Sequence, residues 1–248
     1  MFSSFSIIIG LGSSLGLAWV AWHSPQQKAA SWVVAGLWCL AGILLGARIG
    51  FVIVNWSYFQ SHWVEIPQIW LGGLTGAGGV AGGLLSLAGI SLARKEKFGI
   101  LADGLLPLFS VLTSTAWLAS WEAGTAYGSV NPHSWWAVPS LDEWGAWSFR
   151  WPVQPLGAVS ALAVFWSVNQ FRSRLPQAGK AASLVFIGLV VSWFGFSFLR
   201  ADPVQSWLGW RLDTWANLVY LIVAAGLCLA AFWPRHSITV PKIEEITT

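Results

Sequence analysis

Charged residues are scarce in this sequence. Of its 248 residues, 13 are lysine or arginine and 10 are aspartate or glutamate, so that only 9% are charged and 56% are hydrophobic. Soluble globular domains carry about 25% charged residues. The mean hydropathy of +0.63 points the same way. The composition therefore predicts an integral membrane protein.

Cysteine and histidine are also rare, which limits metal and nucleophile chemistry. Cys39 and Cys228 both fall in apolar runs, where a thiol stays protonated and inert. The histidines fall in loops or in the tail: His23, His62, His133 and His236. Because this pattern offers no metal-ligand spacing, we expect no metal and no cofactor. Nucleic acid is not an expected partner.

Apolar runs long enough to cross a bilayer, about 20 residues each, occur seven times. They lie near residues 5–22, 32–54, 67–92, 99–120, 155–171, 181–199 and 213–233. The runs are continuously apolar rather than alternating, which favours helices over a membrane barrel. The prediction is an all-α membrane protein with about seven transmembrane helices in one domain, residues 1–248. Six spans are the alternative, because the fifth run is the weakest, with Pro152 and Pro155 at its start and Asn169 and Gln170 at its end.

Basic residues are concentrated in alternate loops. They are Lys28, then Arg94, Lys95 and Lys97, then Arg172, Arg174 and Lys180, and finally Arg235 and Lys242. Such loops face the cytoplasm by the positive-inside rule. We therefore expect the N-terminus outside, and the C-terminus inside with a short cytoplasmic tail at about 235–248.

The segment 121–154 is the one sizeable loop, and it is rich in tryptophan. Its indoles are Trp121, Trp135, Trp136, Trp144, Trp147 and Trp151. Disordered segments are poor in aromatic residues, and indoles prefer the headgroup layer. The loop is predicted to be ordered and to lie on the outer membrane surface, with an aromatic belt that binds no ligand as the alternative.

Glycines recur at helical spacing in the second and third runs. Small residues four apart let helices approach closely in lipid. The doubled pairs Gly72-Gly73 and Gly78-Gly79 exceed what packing requires, because each glycine costs about 1 kcal/mol of helix propensity. They indicate a broken or loosened helix beside a polar cavity, and packing alone is the alternative.

A few charged residues fall at the outer ends of the apolar runs. Arg48 lies inside the second run. Burying a guanidinium in the membrane costs free energy unless it faces a partner or water. Glu122, Arg200 and Asp202 follow at the ends of later runs. These side chains are predicted to line one outward-facing pocket. In it, Arg48 would hold a phosphate through its planar guanidinium. Arg200 would be a second cation or a partner of Asp202. Snorkelling or ordinary ion pairing is the alternative.

Several segments match one family in order and spacing. Residues 45–51 read Leu-Gly-Ala-Arg-Ile-Gly-Phe and are followed by the glycine-rich stretch 70–79. The others are Leu-Ala-Asp at 101–103, Gly-Thr-Ala-Tyr-Gly at 124–128, Pro-Val-Gln-Pro at 152–155 and Phe-Leu-Arg-Ala-Asp-Pro at 198–203. Together, from about residue 45 to 203, they resemble the bacterial prolipoprotein diacylglyceryl transferases.

That resemblance implies a reaction and its partners. Family members transfer the diacylglyceryl group of phosphatidylglycerol to the thiol of a lipobox cysteine in a lipoprotein precursor. It implies a multi-pass protein of the bacterial plasma membrane with its site facing the outer leaflet. Arg48 and Arg200 would hold the headgroup of a phosphatidylglycerol-like phospholipid, Tyr127 and Gln154 would donate hydrogen bonds to it, and the four paired glycines would lie nearby.

The sequence departs from the family pattern at reactive positions. The family histidine corresponds to Ala77, and two family arginines correspond to Trp117 and Trp193. A thiol needs a base or a lowered pKa to become nucleophilic. Glu122 is the acid that we nominate as the catalytic base. The alternative is a catalytically inactive relative that acts as a lipid-binding or structural membrane subunit.

Overall fold

The fold is a bundle of helices with two small β-hairpins at one end. The computed structural model describes residues 4–233, so the predicted tail at 235–248 lies outside the described residues. The helices are α1 (Ser4–His23), α2 (Ala29–Val54), α3 (Trp56–Phe59), α4 (Gly76–Arg94), α5 (Phe98–Glu122), α6 (Val153–Gln170), α7 (Lys180–Ser197) and α8 (Leu212–Phe232).

All of these helices except the short α3 contain at least 18 residues. Six of the long helices are also apolar enough to cross a membrane, and α6 is the exception. This confirms the all-α integral membrane fold. The weak fifth run corresponds to α6, whose C-terminal residues Asn169 and Gln170 are polar.

Helix α5 lies at the centre of the packing. One core cluster joins it to α1 and α2 through residues such as Val20, Cys39 and Leu105. A second joins it to α6 and α7 through Leu106 and Phe165, among others. Helix α8 packs on α7 and is the least buried of the six candidate spans.

Helices α2 and α4 pack backbone to backbone. A β-carbon at Gly82 would lie 2.0 Å from the carbonyl oxygen of Gly42, and one at Gly46 would lie 2.4 Å from that of Gly78. No side chain fits there. Gly42, Gly46, Gly78 and Gly82 therefore act in helix packing, which was the alternative given for these repeats.

The predicted third span was wrong at its start. A helix was expected from residue 67, but α4 begins at Gly76. Gly72 and Gly73 adopt φ values of +87° and +76°, which end the 3-10 turn Ile69–Leu71. Thr75 then caps α4 by accepting a hydrogen bond from the Gly78 amide. The first glycine pair breaks the helix, whereas the pair Gly78-Gly79 lies within α4.

The basic end of the bundle consists of residues 24–28, 95–97 and 171–179, and Asp103 joins α5 to the last of these segments. Its carboxylate accepts hydrogen bonds of 2.7 Å from the amides of Gly179 and Ala182 at the start of α7. Pro107 has no N–H to offer the Asp103 carbonyl. Arg172 donates to that carbonyl instead, at 2.9 Å.

The opposite end, which we call the site end, consists of residues 55–75, 123–152 and 198–211. Strands β1 (Val138–Leu141) and β2 (Trp147–Arg150) pair antiparallel, with Leu141 opposite Trp147. Strands β3 (Ser206–Trp207) and β4 (Trp210–Arg211) form a second hairpin. The Trp-rich loop therefore contains ordered β structure. Trp135 and Trp144 are 95% and 86% exposed, while Trp136 stacks against Trp151.

Candidate functional site

Arg48 is buried beneath the segment that connects α2 to α4. Its Nε donates to the carbonyl oxygen of Ile66 at 2.7 Å, and its Nη2 donates to that of Glu65 at 2.6 Å. Its Nη1 donates to Gly72 at 2.6 Å and to Gly73 at 3.1 Å. The guanidinium therefore binds four backbone carbonyls. In this structure it organises the loop, and phosphate binding by Arg48 stays a prediction.

The start of α4 contacts α8 at the position of the family histidine. The hydroxyl of Tyr220 donates a hydrogen bond of 2.5 Å to the carbonyl oxygen of Ala77. Ala77 offers no side-chain base, so the contact is structural.

A small β layer joins the Trp-rich loop to the end of α7. Gly128 pairs with Arg200, and Val130 pairs with Arg150 on the other side. The Ala201 amide donates to the Tyr127 carbonyl at 2.8 Å. Residues 127–131 thus lie between β2 and the chain at 199–201. This layer brings Tyr127 and Arg200, far apart in sequence, to adjacent backbone positions.

Tyr127 belongs to a buried polar cluster. Its hydroxyl donates to the Glu143 carboxylate, and the guanidinium of Arg150 lies 4.2 Å from the centre of its ring. Arg150 also forms an ion pair of 3.2 Å with Asp142. Burial and the hydrogen bond to Glu143 raise the pKa of Tyr127 to about 12. The phenol therefore stays protonated at neutral pH, and it donates its one proton to Glu143.

Gln154 is fully buried at the start of α6. Its Nε2 donates to the carbonyl oxygen of Thr125 at 2.9 Å, and its amide lies 3.4–3.5 Å from the Ser140 hydroxyl. These contacts anchor the loop and β1 to α6. The predicted hydrogen bond to a headgroup would need this amide to give up protein partners.

Arg200 lies in a network of two arginines and two aspartates. Its Nε and Nη2 bind Asp202 as a fork, at 2.9 and 2.6 Å, and its Nη1 binds Asp213 at 2.7 Å. Arg211 binds both Asp202, at 3.1 Å, and Asp213, at 3.0 Å. Burial by itself lowers the pKa of Arg200, but its hydrogen bond to Asp202 and the charges of both carboxylates raise it overall. The pairing predicted between Arg200 and Asp202 is present.

Glu122 lies apart from these clusters. It is the last residue of α5 and is exposed. Within residues 4–233 its carboxylate makes no hydrogen bond or ion pair. Its role as a base stays a prediction.

Trp117 and Trp193, which the sequence pattern assigned to family arginine positions, pack in apolar surroundings. The ring of Trp117 fills the space above Gly157, where a β-carbon would lie 2.4 Å away, and meets Phe196 edge to face. Trp193 packs against the second core cluster. Neither position offers a charge to a ligand.

Sequence analysis missed several polar members of the site. Arg150, Arg211 and Glu143 were not singled out as candidates. One signal was available, because the pattern Arg-x-Asp occurs at residues 200–202 and again at 211–213, on both sides of a Trp-Leu-Gly-Trp turn. A hairpin between the two copies of the pattern brings their charges together. Among the described residues, no group of His, Cys, Asp and Glu side chains is placed to hold a metal ion.

Fold and site together define a multi-pass membrane protein with a bundle of long helices and a charged site at one end. A family model described as prolipoprotein diacylglyceryl transferase matches residues 2–231. The chain belongs to this family.

Similar proteins carry the name phosphatidylglycerol–prolipoprotein diacylglyceryl transferase. The Streptomyces griseus protein is 24% identical over 230 residues, which are 89% of this chain and 69% of the relative. The protein of Hydrogenovibrio crunogenus is 26% identical over 203 residues, 79% of this chain and 75% of the relative. That of Geobacter sulfurreducens is 35% identical over 97 residues, only 38% of this chain and 36% of the relative.

Proposed function

We propose that this chain transfers the diacylglyceryl group of a membrane phospholipid, phosphatidylglycerol in the relatives' names, to the cysteine thiol of a lipoprotein precursor. A C–S bond forms at the glycerol carbon, the C–O bond to the phosphate breaks, and glycerol phosphate leaves with the thiol proton. The observation that carries the proposal is the family match across residues 2–231.

In this proposal the site end binds the headgroup. Arg200 supplies positive charge at the layer that it shares with Tyr127, and the Tyr127 hydroxyl donates to the headgroup in place of Glu143. Glu122 accepts the thiol proton. The separation of basic and acidic loops supports a plasma-membrane orientation with the site end in the outer leaflet and the N-terminus outside.

The test is a direct assay of purified protein in vesicles that contain phosphatidylglycerol, with a lipobox peptide as acceptor. Mass spectrometry of the peptide reports the diacylglyceryl thioether, and released glycerol phosphate is measured in parallel. A peptide with serine in place of the cysteine is the control acceptor. Product that requires the cysteine, and that is lost in Arg200→Gln, supports the transferase.

Glu122 is tested in the same assay. Glu122→Gln should abolish turnover while leaving lipid binding intact, whereas Glu96→Gln, an acid at the basic end, should have no effect. Full activity of Glu122→Gln would remove Glu122 as the base.

A second function is a non-catalytic, lipid-binding membrane subunit. The packing of Trp117 and Trp193 in apolar surroundings favours it, because a phosphodiester leaving group needs cations or donors where negative charge develops. If the protein is well folded and binds lipid but forms no thioether in the vesicle assay, the result would favour this second function.

A further inference from the structure

All three donor nitrogens of Arg200 are in use. The Nε and Nη2 atoms face Asp202 as a bidentate fork, the strongest arrangement for an arginine and a carboxylate. The Nη1 atom faces Asp213 alone, at 2.7 Å. Nη1 and Nη2 each carry a second N–H, so an anion can bind next to these carboxylates or replace one of them. The single contact to Asp213 is the easier one to replace.

Asp213 keeps other partners when it leaves Arg200. Its Oδ1 accepts a hydrogen bond of 3.0 Å from Nε of Arg211. It also lies in the first turn of α8, where the helix dipole stabilises an acid. The carboxylate can therefore release Arg200 without becoming an unpaired buried charge.

A cavity of about 210 Å³ lies beside this contact. Arg200 and Arg211 line it, together with the hydroxyl-bearing Ser197 and Thr214 and the ring of Trp210. Pockets for drug-sized ligands measure about 300–1,000 Å³. The cavity is therefore sized for a headgroup rather than for a whole lipid, and its lining suits a phosphate group.

We propose that Asp213 is a specificity-determining residue. Its carboxylate occupies Nη1 of Arg200, the atom to which the headgroup phosphate binds. The inference rests on the proposed lipid binding at Arg200. The two arginines and two aspartates carry no net charge. A headgroup phosphate at Nη1 competes with the Asp213 carboxylate and brings a second negative charge close to it. The network therefore weakens the binding of anionic lipids in particular.

The test compares phosphatidylglycerol with phosphatidylethanolamine of the same acyl chains, which has no net charge. Both are added to delipidated protein in neutral detergent, without acceptor peptide, and bound lipid is counted by native mass spectrometry. Asp213→Asn keeps the size of the side chain and removes its charge. It should raise phosphatidylglycerol binding about fivefold, the factor that corresponds to about 1 kcal/mol, and should raise phosphatidylethanolamine binding less, because the ammonium group of that lipid offsets the charge of its phosphate.

Two variants serve as controls. Asp142→Asn removes a carboxylate from the neighbouring ion pair with Arg150 and should change neither lipid. Arg211→Gln leaves Asp213 with Arg200 as its only cationic partner, so it should lower phosphatidylglycerol binding. The opposite signs of Asp213→Asn and Arg211→Gln separate the proposed role from a general loss of folding, which would lower binding in both.

The outcomes are distinct. Equal phosphatidylglycerol binding by wild type and Asp213→Asn would overturn the role of Asp213 and leave the transferase proposal standing. No phosphatidylglycerol binding by either protein would overturn both. An excess of inorganic phosphate should not displace the lipid, and displacement by phosphate alone would assign the cavity to a free anion instead.

Discussion

The Nη1 atom of Arg48 donates a hydrogen bond of 2.6 Å to the carbonyl oxygen of Gly72. This contact joins a charged residue of α2 to the position where the expected third helix is broken. Because Gly72 has a positive φ, its carbonyl leaves the helical direction and turns to the guanidinium. The break in the helix and the burial of Arg48 therefore depend on each other.

Arg48→Lys should destabilise the protein although it keeps the charge. An ammonium has no planar fork and cannot reach four carbonyls at once, so buried acceptors lose their donors at a cost of roughly 3 kcal/mol. The thermal midpoint in detergent, followed by tryptophan fluorescence, should fall, and residues 65–73 should become sensitive to protease.

The matched control is Arg94→Lys. Arg94 donates only to Ser31 at the basic end, and little change is expected. If both substitutions had equal effects, the loop contacts of Arg48 would not be the cause.

Gly82→Ala should separate α2 from α4. The new β-carbon would meet the Gly42 carbonyl oxygen at 2.0 Å, and overpacking of this kind costs about 1–3 kcal/mol. Gly89, on the same helix, has no neighbour within 4 Å. Gly89→Ala should therefore be neutral or stabilise the helix by up to about 1 kcal/mol. Thermal midpoints of the two variants in one detergent would check this, and similar losses in both would contradict the packing described.

Tyr127 should titrate far above neutrality. Its folded pKa of about 12 lies above the ordinary value of 10.0, so the folded state favours the neutral phenol. This contribution to stability is complete below pH 10 and is lost as the pH rises from 10 to about 12. The ultraviolet difference titration between wild type and Tyr127→Phe isolates this phenol among the three tyrosines of the chain.

Glu143→Gln is the partner control for this titration. Removing the carboxylate should move the Tyr127 midpoint towards 10, because the hydrogen bond and charge of Glu143 both raise its pKa. An unchanged midpoint would mean that burial alone sets it.

Trp117→Ala should open a cavity between α5, α6 and α7. Trp117 is partly buried, so its loss should cost part of the roughly 3–5 kcal/mol that removal of a fully buried large aromatic side chain costs. Trp135, which is 95% exposed, provides the matched control, and Trp135→Ala should leave stability unchanged.

Trp117→Arg should also destabilise the protein, because the indole lies against Gly157 and Phe196. A stable Trp117→Arg protein would show that this site accepts the charge found elsewhere in the family.

Several features could be predicted from the sequence. The positions of the long helices followed from uninterrupted apolar runs, and the weak fifth run proved to be α6. The Arg200–Asp202 pair was within reach because the residues are two apart. The doubled glycines indicated a break in the third run, but the start of α4 could not be placed, since Trp70 and Leu71 continue the apolar pattern up to the positive φ values of Gly72 and Gly73.

By itself, the sequence determined the membrane class and the family, because they follow from composition, the length of the apolar runs and the order of the motifs. The number of spans stayed open between seven and six, and six of the described helices are apolar enough to cross a membrane. Tertiary structure alone decided which charges meet. Arg211 and Asp213 join Arg200 because the β3–β4 hairpin folds back, and Tyr127 reaches Arg200 because a loop strand pairs with the end of α7. Arg48 binds four backbone carbonyls because a buried donor needs an acceptor. Which acceptors lie near Arg48 depends on the path of the backbone between α2 and α4.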